Sequence, residues 1–163
     1  NLDAPYLVLY NSSAQDASAT VVNRDGFDLE FIVESVTYVF YTHAVGEAYY
    51  LAAMLNSSVP NEMMKDFQAR GLYGARHVHK KILDVHFPEF SEADDKHARL
   101  ASLSESAHGK AARHLRANPP AGVLTPGRLG RLRVAVKHEV AAELREINAL
   151  VAETLRAGAP NTI

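Results

Sequence analysis

The chain contains no cysteine and no tryptophan. The lack of cysteine excludes disulfides and thiolate metal sites, and it suits a reducing compartment. No apolar run approaches the roughly 18 residues of a membrane span. The N-terminus has neither a basic region nor a signal-like apolar stretch, so the sequence predicts a cytoplasmic protein with no membrane partner. An initiator methionine is also missing, and Asn1 leads almost at once into a strand-like segment. The chain therefore reads as a piece of something longer. A more local absence is the most telling. No Asp or Glu occurs from Ser106 to His138, while Lys110, Arg113, Arg116, Arg128, Arg131, Arg133 and Lys137 all lie there.

That gap belongs to a wider separation of charge. The whole chain carries a formal charge of −2, yet residues 1–69 hold 2 Lys/Arg against 9 Asp/Glu, and residues 70–138 hold 13 against 6. A basic middle of this kind suits a polyanion better than a small-molecule pocket. The plainer reading is a solvated helical surface. The 163 residues, 47% of them hydrophobic, are enough for one domain with a real core, or one domain with a helical extension.

The first forty residues read as β structure. Tyr6-Leu7-Val8-Leu9-Tyr10 and Ala19-Thr20-Val21-Val22 are short apolar runs, with Asp25-Gly26 as a turn signal. Segments 30–34 and 37–41 are rich in β-branched and aromatic residues. The period then changes. From Gly46 to Leu55 strong helix formers dominate, Asn56-Ser57-Ser58 closes the run, and Pro60 can open a second helix through Met63, Met64 and Phe67. A short basic helix is expected from Arg76 to about Leu83. A long helix follows over about 92–115, with Leu100, Leu103, Ala107 and Ala111 as its apolar stripe. Asn118-Pro119-Pro120-Ala121-Gly122 breaks it. Thr125-Pro126 supplies an N-cap and a first-turn proline. From there one continuous amphipathic helix is expected, through Leu129, Leu132, Val136, Val140, Leu144, Ile147, Val151 and Leu155. The predicted fold class is α+β: a small, mainly antiparallel sheet in the N-terminal third, short helices, then a long C-terminal helical hairpin. Residues 1–91 form the mixed strand/helix part and 92–163 the hairpin, in one structural unit.

Four strings in order resemble a known family. Glu47-Ala48-Tyr49-Tyr50-Leu51-Ala52-Ala53-Met54-Leu55-Asn56-Ser57 is similar to a helix in the C-terminal part of large N6-adenine DNA methyltransferases of restriction–modification type. The segment Phe67 to Val78, with Gly71, Gly74 and Arg76, looks like that family's G-x-x-G-x-R segment. Asp84 to Phe90 resembles its extended segment ending in Pro-x-Phe. Asp94-Asp95-Lys96-His97-Ala98-Arg99-Leu100-Ala101 is similar to its D-x-x-H-x-x-L segment. The similarity covers about residues 6–115. It implies a TaqI-like specificity domain, which binds the double-stranded DNA target while a separate upstream domain transfers a methyl group from S-adenosylmethionine. This chain itself departs from the catalytic pattern. Asn118-Pro119-Pro120 is followed by Ala121 where an aromatic must stack on the flipped adenine, and no Gly-rich cofactor turn joins a strand to a helix. The fragment is thus expected to hold no cofactor and to be no enzyme by itself.

Other chemistry finds little support. The eight histidines lack a His-Glu-x-x-His spacing and read as surface groups rather than metal ligands. No Gly-x-Ser-x-Gly elbow occurs. Asp94-Asp95 reads as a helix start, and Tyr49, Tyr50, Met54, Met63, Met64 and Phe67 as core. The sharpest binding candidate is Arg70 to Lys81: Arg70, Tyr73, Arg76, His77, His79, Lys80 and Lys81, with no acidic residue among them. Arg76 suits a bidentate contact to guanine, and Lys80 and Lys81 suit phosphates. Arg128 and Arg131 join the set, either as phosphate contacts or as partners of acidic residues within the protein. The rival reading is a docking module that packs on the methyltransferase domain, or on a second subunit, without touching DNA.

Overall fold

The computed structural model describes residues 3–11, 16–27, 33, 37–65, 70–71, 74–75, 82 and 85–157. Three strands form an antiparallel sheet: β1 (Tyr6–Asn11), β2 (Ala19–Asn23) and β3 (Thr37–Thr42), in the order β2-β1-β3. Val8 sits opposite Val21 on one side and Phe40 on the other. The turn expected at Asp25-Gly26 is a short 3-10 helix, Arg24–Gly26, capped by the Asn23 side chain. The strand expected over 30–34 lies outside the described residues apart from Val33, which is assigned to no strand.

Two helices follow, α1 (Val45–Asn56) and α2 (Ser58–Lys65). Ala44, at the N-cap of α1, has no capping side chain of its own. Thr42 substitutes: its hydroxyl accepts the Ala44 N–H at 3.0 Å and donates to the Glu47 carboxylate. The second helix begins two residues before Pro60. Ser57 Oγ accepts the Val59 N–H at 3.2 Å, and Pro60 falls in the first turn, where its missing N–H costs nothing.

Helix α1 is apolar nearly all round because it is the centre of the molecule. One side, with Ala48, Ala52 and Leu55, packs on Val8 and Tyr10 of the sheet and on Met64 of α2. The other side, with Tyr50, Ala53 and Met54, packs on Leu100, Ala101 and Leu103 of α3 (Asp95–Ala117) and on Ile147 and Val151 of α5 (Ala141–Ala157). Gly46 at the start of α1 admits Phe90 closely: a Cβ there would lie 2.8 Å from Phe90 Cζ, so the ring would have to shift. Of the expected core stripe, Tyr50, Met54 and Met64 are buried. Met63 is 48% exposed, and Phe67 lies outside the described residues.

The C-terminal hairpin has one arm in α3. Its return arm is in two pieces, α4 (Pro126–Glu139) and α5. This corrects the continuous helix expected from 126 to 155. The break falls at Val140, with φ −102 and ψ 15, and its N–H still reaches the Val136 carbonyl. The bend follows from burial. Val140 is buried, and Ile147 and Val151 are buried against α3, whereas α4 has no buried residue, and its Leu129, Leu132 and Val136 are only partly covered. Three ion pairs set the register of the return arm on α3: Lys96–Glu153 at 3.0 Å, Arg99–Glu146 at 2.7 Å and Lys110–Glu143 at 2.6 Å. Their paired positions run in opposite directions, as antiparallel helices require. The first two pairs are half-exposed, so they select register more than they stabilise.

Candidate nucleic-acid interface

Asp94 begins α3 as the sequence suggested. Its carboxylate accepts the Lys96 and His97 N–H groups at 2.8 and 3.2 Å, which holds its pKa below the ordinary value. From that end the helix runs 23 residues into the carboxylate-free stretch. There it ends at Asn118, whose side chain donates to the His114 carbonyl at 3.0 Å. Thr125 caps α4, its hydroxyl accepting the Arg128 N–H at 3.4 Å, with Pro126 in the first turn as expected.

The hairpin tip gathers cations from both arms. Arg113 and Arg116 lie on the last turns of α3, and Arg128 and Arg131 on the first turns of α4; all four are exposed. Arg128 folds back over the linker and donates to the Ala121 and Val123 carbonyls at 2.6 and 3.4 Å. It braces Gly122, whose φ of +69 suits glycine. The Arg116 Nε donates to Ala112 O at 3.2 Å. Arg113, Arg131, Arg133 and Lys137 make no ion pair among the described residues. An open groove of about 570 Å³ lies at this end, lined in part by His114, Asn118, Leu124, Arg128, Arg131 and Leu132. Val123 and Leu124 are exposed beside it.

Neutralisation begins only deeper in the bundle. Glu143 is nearly buried; its Oε1 accepts from Lys110 Nζ and from Ser106 Oγ at 3.3 Å, while Oε2 has no partner among the described residues. The hydrogen bond from Lys110 holds the Glu143 carboxyl below its ordinary pKa. His114 Nδ1 lies 3.8 Å from Glu139. Lys110 of α3 thus pairs within the protein, with a partner on α5, while Arg128 and Arg131 have no carboxylate partner among the described residues.

The segment Arg70 to Lys81 is described only in part. Arg70–Gly71 (β4) and Gly74–Ala75 (β5) pair antiparallel, Arg70 opposite Ala75 and Gly71 opposite Gly74. Tyr73, Arg76, His77, His79, Lys80 and Lys81 lie outside the described residues, as does the basic helix expected at 76–83 apart from Ile82. That residue is fully buried in the sheet-side core.

Two histidines are not the surface groups that the sequence suggested. His97 is buried beside Tyr50, with ring centroids 4.6 Å apart. Its Nδ1 accepts the Ser91 N–H at 3.2 Å, and Tyr50 donates to Pro88 O at 3.0 Å. These contacts fasten the extended segment 86–91 to α1 and α3. Burial pushes the Tyr50 phenol up to about 12. His108 joins α3 to the sheet: its Nε2 accepts the Val21 N–H at 3.2 Å, and its Nδ1 donates to Ser104 O at 2.7 Å. Accepting the Val21 N–H requires the neutral ring, and burial lowers the His108 pKa by more than the bond to Ser104 O raises it.

The unfolded chain binds the extra proton at His108 more readily than the fold does, so His108 supports stability fully above the ordinary histidine value of 6.5. That support is lost as pH falls from there toward the lowered folded value. Urea unfolding at pH 7.5 and 5.5 checks this. The wild-type chain loses more stability between the two than His108→Gln; equal losses would contradict it.

Among the described residues, no three His, Asp or Glu side chains are grouped to hold a metal ion, and no helix is long and apolar enough to cross a membrane. Comparison with family models, curated proteins and solved structures gives no match to this chain.

Proposed function

We propose that this chain is the target-recognition part of an N6-adenine DNA methyltransferase of restriction–modification type. It binds duplex DNA in the cytoplasm, while an upstream domain of the same protein holds S-adenosylmethionine and performs the transfer. The fragment holds no cofactor and contributes binding rather than chemistry. The observation that carries the reading is the fate of the cations between Ser106 and His138. Lys110 alone among its seven Lys and Arg residues has a carboxylate partner among the described residues. A polyanion is the partner that neutralises such a surface at least cost. The four family-like strings supply the class of polyanion; the second holds Arg70, Tyr73, Arg76 and His77, and His79, Lys80 and Lys81 follow it directly.

The docking alternative draws on α4, which buries no residue and exposes Val134 at 63%. Salt separates the two. Phosphate contacts release counterions, so DNA binding weakens by about 0.9 log units per contact for each tenfold rise in salt. Fluorescence anisotropy with a random-sequence duplex is therefore expected to show binding that falls steeply with salt. An association with protein that ignores salt, and no DNA binding, would favour docking.

A further inference from the structure

We infer that the tip of the α3–α4 hairpin contacts the phosphate backbone of DNA and not its bases, a deeper statement that rests on the DNA-binding reading above. The contact is distinct from the Arg70–Lys81 segment and uses Arg113, Arg116, Arg128 and Arg131. These four residues are exposed and sit on the facing ends of two helices. No acidic residue lies between Ser106 and His138 to compete for them.

Width decides between phosphate and base. A single helix with its side chains is about 10–12 Å across, and the major groove is about 12 Å wide. One helix enters that groove; two side by side, roughly 20 Å across, do not. The two arms are held together here: His114 of α3 and Leu132 and Ala135 of α4 line the same groove, and His114 lies 3.8 Å from Glu139. The pair therefore rides over the backbone. Arg128 adds to this geometry by fixing the linker through the Ala121 and Val123 carbonyls. The arginines of both arms are then presented on a braced frame rather than on a loose loop. An acidic protein surface offers the same sign of charge. Val123 and Leu124 expose apolar surface between the arms, but the four arginines are spread over both arms with no carboxylate among them, which fits a line of phosphates.

The test uses the intact chain and a triple variant, Arg113→Gln/Arg116→Gln/Arg131→Gln, which leaves Arg128 in place to hold the linker. Each is titrated onto a random-sequence duplex by anisotropy across a salt series, with a thermal melt to compare their folds. Exposed substitutions of this kind barely change stability, so the melts should coincide. The salt slope of the variant is expected to be shallower by about 2–3, close to 0.9 for each lost phosphate contact. Wild-type binding with an unchanged slope in the variant would overturn the tip contact and leave the DNA reading standing. No wild-type binding at the lowest salt would overturn the DNA reading, and the tip contact with it. Should the variant fail to melt cooperatively, the same titration with Arg131→Gln alone, expected to lower the slope by about 1, decides in its place.

Discussion

Asn56→Ala is expected to cost about 2–3 kcal/mol of stability, far more than a typical surface substitution. The side chain closes the open edge of the sheet. Its Oδ1 accepts the Ala19 N–H and its Nδ2 donates to the Ala19 carbonyl, both at 2.9 Å, so it stands in for the strand that β2 lacks. Neighbours two residues away on the same edge are treated alike: Ala17 N–H donates to Asn61 Oδ1 at 2.7 Å, and Val21 N–H to His108 Nε2. Three side chains from the helical layer thus satisfy an edge that would otherwise invite another strand. Removing Asn56 orphans a donor and an acceptor together, each worth roughly 1–3 kcal/mol when left partly buried. Denaturant unfolding measures the loss, and hydrogen exchange at the Ala19 amide should lose protection. A loss below about 0.5 kcal/mol would contradict this role. Asn56→Asp, which keeps the acceptor but not the donor, should fall between the two.

The largest loss is expected at Leu100→Ala, about 3–4 kcal/mol, within the range for deleting a fully buried leucine. Leu100 has no exposed surface and lies where α1, α3 and α5 meet, among Tyr50, Met54, Ile147 and Val151. Four groups on two flanking helices cannot all collapse into the space left, so a cavity remains. Leu100→Met conserves volume and should cost under about 1.5 kcal/mol. Comparable midpoints for Leu100→Ala and the wild type would show that the hairpin does not share a core with α1.

Most of this architecture is legible in the sequence because it depends on local signals. Short apolar runs mark β1 and β2, Asp94 and Thr125 mark two helix starts, and the Pro119-Pro120 loop marks the turn of the hairpin. The break at Val140 is hidden because the apolar spacing runs unbroken from Leu129 to Leu155. Which half of that stripe is buried depends on where α3 ends, and that is a tertiary fact. His97 and His108 are hidden for a related reason. An imidazole suits water or a core equally well, and only the arrival of Ser91, or of Val21 on the sheet edge, makes it structural.

The basic surface divides in the same way. The carboxylate-free run announces an excess of positive charge, and it names Arg128 and Arg131. Spacing alone cannot say that Lys110 finds Glu143 on α5, or that Arg128 is drawn back to the linker carbonyls. The tip as a unit needs the hairpin closed, because Arg113 and Arg131 are far apart in sequence. Asn56 and Ser57, which end the family-like string, serve the fold. Asn56 seals β2, and Ser57 donates to Asn148 Oδ1 at 2.9 Å, joining the first helix to the last.

The proposed binding of duplex DNA rests on the basic residues between Arg70 and Lys137. The most direct measurement is the anisotropy of a labelled random-sequence duplex with the intact chain across a salt series, beside Arg76→Ala/Lys80→Ala/Lys81→Ala. The account predicts binding at low salt that weakens steeply as salt rises, with a shallower slope and weaker affinity in the triple variant. No change in anisotropy at the lowest salt, or binding indifferent to salt, would contradict it.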